Sequence, residues 1–402
     1  MSLPTRLSLT LPLLVTLLLP GCHRTNRVPA HGHLAGKPVR TVVDDVIARD
    51  WLDARSGSGG SSIQYPDTMH PARPAPRPPV TDHGAWEQLA NRTSTDLATI
   101  LLIETLRADP VNRALEARFR HELEHLAPST ALEPLSGDSA PLVLFMPGWD
   151  YRESGSITGA DFAGPRRIVA AMGMDAMRVP IDPVGPVEEN AVALATTIRE
   201  HGSRAILVVS ASSGGPATAL AMGKLLSHAE SAHVRAWLNI GGILRGSPVA
   251  DHYLAWPRSW LTRIILAVKG WDIASIRSMS LAAGRSRFAS LRFPDHLRIV
   301  NYIGIPLSGQ VSERARSTYA ILRPLGPNDG LTLIADALVP GAATLVDIGR
   351  DHFVGNDPDI DRKTAALTRL MVGLLPDTTS TDTIHAGGSG TQTVPPSQGG
   401  RP

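Results

Sequence analysis

Between residues 139 and 376, short apolar runs alternate with amphipathic stretches. The runs fall at 141–146, 176–181, 205–210, 234–240, 297–305 and 343–348. Their length and near-continuous apolar character predict strands buried on both faces. Helix-period segments lie between most of them, at about 161–172, 186–201, 214–228 and 330–338, and a last one at 359–375. Strands alternating with helices predict an α/β fold, a mostly parallel sheet with helices on both faces. Residues 246–296 break the rhythm as a long insertion carrying Trp256, Trp260 and Trp271.

Upstream the pattern weakens. Residues 84–126 read as a helical extension of two helices broken near Asp109-Pro110, the second with Val111, Leu115, Phe119 and Leu123 four apart. Residues 23–83 read mainly as a tether: Gly57-Ser58-Gly59-Gly60-Ser61-Ser62 is flexible, and Pro71, Pro74, Pro76, Pro78 and Pro79 favour extended chain. Within it, Val42, Val43, Val46, Ile47, Trp51 and Leu52 recur with the spacing of a short docked helix. Residues 377–402, rich in Gly, Ser, Thr and Pro, are expected to be a disordered tail.

Residues 1–22 read as an export signal. Arg6 supplies the positive start, and the apolar run 7–19 is 13 residues long. A bilayer span needs about 20. The run ends in Leu19-Pro20-Gly21-Cys22, which resembles the lipobox of bacterial lipoproteins. That resemblance implies acylation of Cys22 and a lipid anchor in a bacterial cell envelope, with His23 in place of Asp fitting the outer membrane. Cys22 is the only cysteine of the chain, so an internal disulfide framework and a cysteine-based zinc site are both excluded. With 39 basic and 37 acidic side chains in 402 residues, and no basic stretch interleaved with aromatics, nucleic acid is not an expected partner.

The strongest chemical signal follows the third run, at Ala205-Ile206-Leu207-Val208-Val209-Ser210-Ala211-Ser212-Ser213-Gly214-Gly215. A buried strand enters a small-x-Ser-x-Gly turn and then an Ala-rich helix, the context of a nucleophile elbow. Ser210 and Gly214 are the small residues two before and two after, which makes Ser212 the nucleophile. A shift of one residue would make it Ser213. A serine hydroxyl needs a base held by a carboxylate, in the chain order Ser, acid, His. His352, just past the last run, and Asp329, in Asn328-Asp329-Gly330-Leu331, satisfy that order; Asp347 and Asp351 are rival acids. The backbone N–H groups of Ser213 and of Trp149, in the Pro147-Gly148-Trp149 loop after the first run, are the expected oxyanion donors.

Together these residues resemble the α/β-hydrolase superfamily, and more closely bacterial triacylglycerol lipases and serine esterases. Pro147-Gly148-Trp149 stands where that group has His-Gly-x, Ser210 stands where the elbow has Gly, and Asn328-Asp329-Gly330-Leu331 is similar to its acid motif. The segment from Gly241 to Asp251 is similar to the one preceding the lid in such lipases. The resemblance covers roughly 139–376. It implies an α/β-hydrolase fold with residues 246–296 as a lid or cap. It also implies an ester hydrolase that forms an acyl-Ser212 intermediate on an acyl-ester or lipid substrate, without a metal or other cofactor. Two alternatives stay open: acyl transfer by the same residues, and a catalytically inactive hydrolase-fold envelope lipoprotein that binds rather than reacts.

Overall fold

A computed structural model describes residues 27–54, 77–126 and 140–375. Cys22, the expected export signal and the expected tail lie outside those residues. The described chain opens with a hairpin of β1 (Val28–Leu34) and β2 (Lys37–Val43), followed by α1 (Val46–Ala54). Three helices come next: α2 (His83–Arg92), α3 (Thr95–Ala108) and α4 (Pro110–His125).

One six-stranded sheet follows, made of β3 (Leu142–Met146), β4 (Ala176–Arg178), β5 (Ile206–Ala211), β6 (Val234–Ile240), β7 (Arg298–Ile305) and β8 (Ala343–Ile348). Its spatial order is β4-β3-β5-β6-β7-β8, and every neighbouring pair is parallel. Between β3 and β4 come α5 (Gly155–Thr158) and α6 (Ala163–Ala171); α7 (Val187–Glu200) leads into β5. After β5 the chain forms α8 (Gly214–Leu220), a single π-helical turn and α9 (His228–Ser231). This is the α/β-hydrolase fold.

Alternation along each strand divides the core in two. Leu142, Leu144, Met146, Val208 and Trp237 face α7 and α8. Val143, Phe145, Leu207, Val209, Leu238 and Tyr302 face α6 and the last helix, α16 (Ile360–Val372).

The insertion between β6 and β7 is helical: α10 (Pro248–Leu254), α11 (Arg258–Lys269), α12 (Ile273–Ser278) and α13 (Leu281–Ala289). In α11 only Leu266 is buried, while Trp260, Ile264 and Val268, four apart, are 57%, 50% and 84% exposed, and Trp256, just before the helix, is 84% exposed. The remaining helices are α14 (Arg316–Leu322) and α15 (Ile334–Ala337). Among the described residues, no helix is long and apolar enough to cross a membrane.

The reading of residues 23–83 as a tether needs correction at 28–54, while the Gly57–Ser62 and Pro71–Pro76 stretches lie outside the described residues. Residues 28–54 build a third layer, in which Ala30, Leu34, Val39, Val43, Trp51 and Leu52 pack with Leu97, Ile100 and Ile103 of α3 and with Ile303 and Ile305 of β7. Ala35 and Gly36, at φ 56° and 78°, close the two-residue turn of the hairpin. Its inward residues are spaced widely among polar ones, and their burial depends on partners far along the chain, such as Leu97 and Ile305.

The helical extension holds three helices rather than two. Ser94 starts α3 by accepting the Leu97 amide, a cap that interrupts what reads as one apolar stretch. α4 then covers the exposed edge of the sheet: the Asn112 side chain accepts the amide of Thr344 in β8 at 2.7 Å. The helix expected at 330–338 is reduced to the single turn of α15, because residues 326–333 fold into a loop that presents Asp329.

Candidate active site

Ser212 sits at the sheet's carboxyl edge with φ 52°, the left-handed region that a side-chain-bearing residue rarely occupies. The turn is locked from both sides. The Ser212 amide donates to the Ile240 carbonyl of β6, and its carbonyl accepts from Gly215 and Ile243. Gly214 is demanded by close approach, since a Cβ there would stand 2.5 Å from the Met146 carbonyl oxygen and 2.7 Å from that of Pro147. Ser210, the residue in place of the usual glycine, is fully buried, and its Oγ accepts the indole N–H of Trp237 at 2.8 Å. Trp237 is a supporting neighbour that sequence reading missed; nothing local pairs a strand β6 indole with a serine 27 positions earlier.

His352 lies in the loop after β8. Its Nε2 is 3.0 Å from Ser212 Oγ, and its Nδ1 is 2.7 Å from Asp329 Oδ2. The two loops are also joined through backbone, His352 N–H donating to the Asp329 carbonyl at 2.7 Å. Asp329 Oδ1 accepts the amides of Leu331 and Thr332 at 2.9 and 2.8 Å, leaving Oδ2 for the imidazole. That arrangement places the ring proton on Nδ1 and leaves Nε2 to accept from the serine hydroxyl. The His352 and Asp329 side chains are 6% and 1% exposed. Burial disfavours the imidazolium. The charge and hydrogen bond of Asp329, aided by Asp351, outweigh it, so the pKa of His352 is raised above its ordinary value.

The rival acids are engaged elsewhere. Asp347 accepts from Lys363 Nζ and the Tyr302 hydroxyl, each at 2.5 Å. Asp351 accepts the amides of Ser312 and Phe353. Ser213, the other elbow serine, is the residue before α8, and the imidazole meets Ser212.

The 147–150 loop borders the serine: a Cβ on Gly148 would lie 3.2 Å from Ser212 Cβ. The loop is tied down by the Gly148 amide to the Ala160 carbonyl and the Asp150 amide to the Pro183 carbonyl. Among the described residues, the Trp149 and Ser213 amides meet no backbone acceptor outside regular helices and strands. The Trp149 ring packs edge-on against Trp271, the residue that follows α11 and its Gly270 cap, so the insertion touches this loop directly.

A cavity of about 640 Å³ opens at Ser212 and His352. Trp149, Phe162, Ile240, Leu331 and Phe353 are among its lining residues. Among the described residues, no group of three or more His, Cys, Asp or Glu side chains is placed to hold a metal ion.

No family model matches the chain, and no curated protein matches it. Among solved structures it is similar to the metagenomic carboxyl esterase MGS0156, at 20% identity over 62% of this chain and 82% of that one, with a TM-score of 0.47. It is also similar to the lipase BlEst2 of Bacillus licheniformis in its mature form, at 21% identity over 62% and 98% of the two chains, with a TM-score of 0.46. EstA from Clostridium botulinum is similar at 12% identity over 65% and 98%, also with a TM-score of 0.46. These likenesses are of fold.

Proposed function

We propose that the chain is a serine carboxylic-ester hydrolase that works through an acyl-enzyme. The observation that carries this reading is the continuous relay Ser212 Oγ–His352–Asp329, with the serine held at positive φ on a nucleophile elbow. Ser212 Oγ attacks the ester carbonyl as His352 Nε2 takes its proton. The amides of Trp149 and Ser213 receive the charge that develops on the carbonyl oxygen. The tetrahedral intermediate collapses, His352 passes the proton to the leaving alcohol, and Ser212 retains the acyl group. Water, deprotonated by His352, then releases the acid and restores the serine. Asp329 holds the imidazole in the required tautomer and stabilises its charged form throughout.

The reading includes attachment to a bacterial envelope membrane through an acylated Cys22. The apolar run and cysteine at the amino terminus support it. So does the outward face of α11, where Trp260, Ile264 and Val268 stand beside Arg263, with Trp256 exposed just before the helix, in the composition of a helix that lies on a lipid surface. Palmitate labelling of the parent, lost in Cys22→Ala, is the expected result for the anchor.

The catalytic assignment is tested with a fluorophosphonate probe and peptide mass spectrometry. The expected adduct is on Ser212 and disappears in His352→Ala. Undiminished ester turnover by a folded Ser212→Ala variant refutes the assignment.

A further inference from the structure

His352 stands at the midpoint of a loop. Asp347, near the end of β8, lies five residues before it, and Asp357, ahead of α16, lies five residues after it. One side chain meets both ends. Lys363, the fourth residue of α16, places Nζ 2.5 Å from Asp347 Oδ2 and also donates to Asp357 Oδ2. Building on the ester-hydrolase reading, we propose that Lys363 is a positioning residue: its ammonium closes the base of the 347–357 loop and thereby holds His352 Nε2 within reach of Ser212 Oγ.

The side chains of Lys363, Asp347 and Asp357 are 13%, 11% and 0% exposed, so water and salt screen this bridge far less than a surface pair. Both carboxylates lie within hydrogen-bond reach of one nitrogen. Without it, two buried negative charges would face each other. Burial works against the Asp357 carboxylate. The hydrogen bond and charge of Lys363, with the Asp359 amide and the charge of Arg350, outweigh it and hold its pKa below the ordinary value. Each end of the bridge is itself fixed. Asp347 Oδ2 also accepts the Tyr302 hydroxyl of β7 at 2.5 Å, and Asp357 Oδ1 accepts from Arg350 at 2.9 Å and from the Asp359 amide at 3.0 Å.

The two halves of the loop are supported differently. The first half has backbone ties to other segments: Gly349 donates to the Ile305 carbonyl, and His352 donates to the Asp329 carbonyl. In the second half the amides of Phe353 and Asp357 turn back to acceptors within the loop, Asp351 Oδ1 and the Val354 carbonyl. Among the described residues, the ion pairs of that half are those of Asp357 with Arg350 and with Lys363, and only Lys363 lies outside the loop. The imidazole between the halves must meet Asp329 and Ser212 together, at 2.7 and 3.0 Å. A loop released at its base loses that register, and a misplacement of about 1 Å can cost about 10²-fold in rate.

The test uses two variants that break the bridge from opposite ends. Lys363→Met keeps most of the side-chain length and removes the cation, and Asp357→Asn removes the facing charge. In each, kcat per folded molecule on a short p-nitrophenyl ester is expected to fall about 10–100-fold, with KM little changed. The double variant is expected to lose no more than the worse single one, because both break the same bridge. Parent-like kcat in whichever variant folds overturns the proposal. So does a raised KM at parent-like kcat, which would make Lys363 a support of the cavity wall.

A second measurement needs no turnover. The proton that His352 Nδ1 donates to Asp329 Oδ2 is expected as a resolved far-downfield proton resonance in the parent, broadened or lost in folded Lys363→Met. That loss in a protein whose parent hydrolyses no ester leaves the positioning role standing and refutes the ester-hydrolase reading. An unchanged resonance with parent-like kcat refutes the positioning role and leaves the ester-hydrolase reading intact.

Discussion

Replacing Ser210 with glycine restores the residue usual at this place in a nucleophile elbow, yet the structure predicts that it weakens the protein. Ser210 and Trp237 are both fully buried, and the Trp237 indole N–H has Ser210 Oγ as its acceptor at 2.8 Å. Removing the hydroxyl leaves that donor in a dry core, which costs about 1–3 kcal/mol. Glycine inside a strand adds about 0.5–1 kcal/mol. The expected loss for Ser210→Gly is therefore about 1.5–4 kcal/mol, read as a lower urea midpoint at unchanged slope by circular dichroism. Ester turnover per folded molecule stays near the parent value, because neither atom touches the Ser212–His352 pair. Trp237→Phe removes the donor as well as some volume. Once the donor is gone, loss of the Ser210 hydroxyl costs less, so the double-mutant cycle is expected to give a coupling of about 1 kcal/mol or more. Single effects that simply add, or a Ser210→Gly variant as stable as the parent, would refute the reasoning.

Three further outcomes follow from the site and its supports. The acid limb of kcat/KM is expected above the ordinary histidine range, because His352 must be neutral to act as base and its pKa is raised. Asp329→Asn is expected to lower kcat by about 10³–10⁴ and shift that limb to lower pH; an unmoved limb would assign it to another group. Gly214→Ala puts a methyl group against the Met146 and Pro147 carbonyls, so the 147–149 loop must shift away from Ser212. A loss of about 10²–10³ in kcat is expected if that loop carries an oxyanion donor, and parent-like kinetics would remove Trp149 from the role. Finally, burial and the neighbouring Asp44 raise the pKa of Asp96 from 3.8 to about 7. The folded protein then keeps a proton that the unfolded chain has released, so this contribution favours folding at low pH and is lost as pH rises from about 4 to about 7. The Tm of the parent minus that of Asp96→Asn, which cannot titrate, should decline across that window. A constant difference would place the proton elsewhere.

Much of the fold and the candidate site is local in origin, and therefore legible in the sequence. Each central strand is an apolar run whose neighbours in space are helices it flanks in sequence. The elbow is written in five consecutive residues from Ser210 to Gly214, and the order Ser212, Asp329, His352 follows from the order in which strands end at one edge of the sheet. Asp329 is the acid the sequence favours, since Asp347 lies within a strand and Asp351 adjoins the histidine; what the structure adds is what engages those two. Lys363, Tyr302 and Ser312 occupy the other two through side-chain and backbone contacts that no spacing announces.

The hairpin at 28–43 was hidden for a similar reason. Its inward residues acquire meaning only when α3 and β7 supply the surface they cover. The same holds for Ser210, which reads as a flaw in the motif until Trp237 arrives from the next strand. The sequence by itself determined the alternation, the elbow and the chemistry available at its tip. Only the tertiary structure decided what occupies the other late-strand carboxylates and what makes a serine tolerable beneath the elbow. Those depend on distances between residues far apart in the chain, and on packing that the residues along one segment do not encode alone.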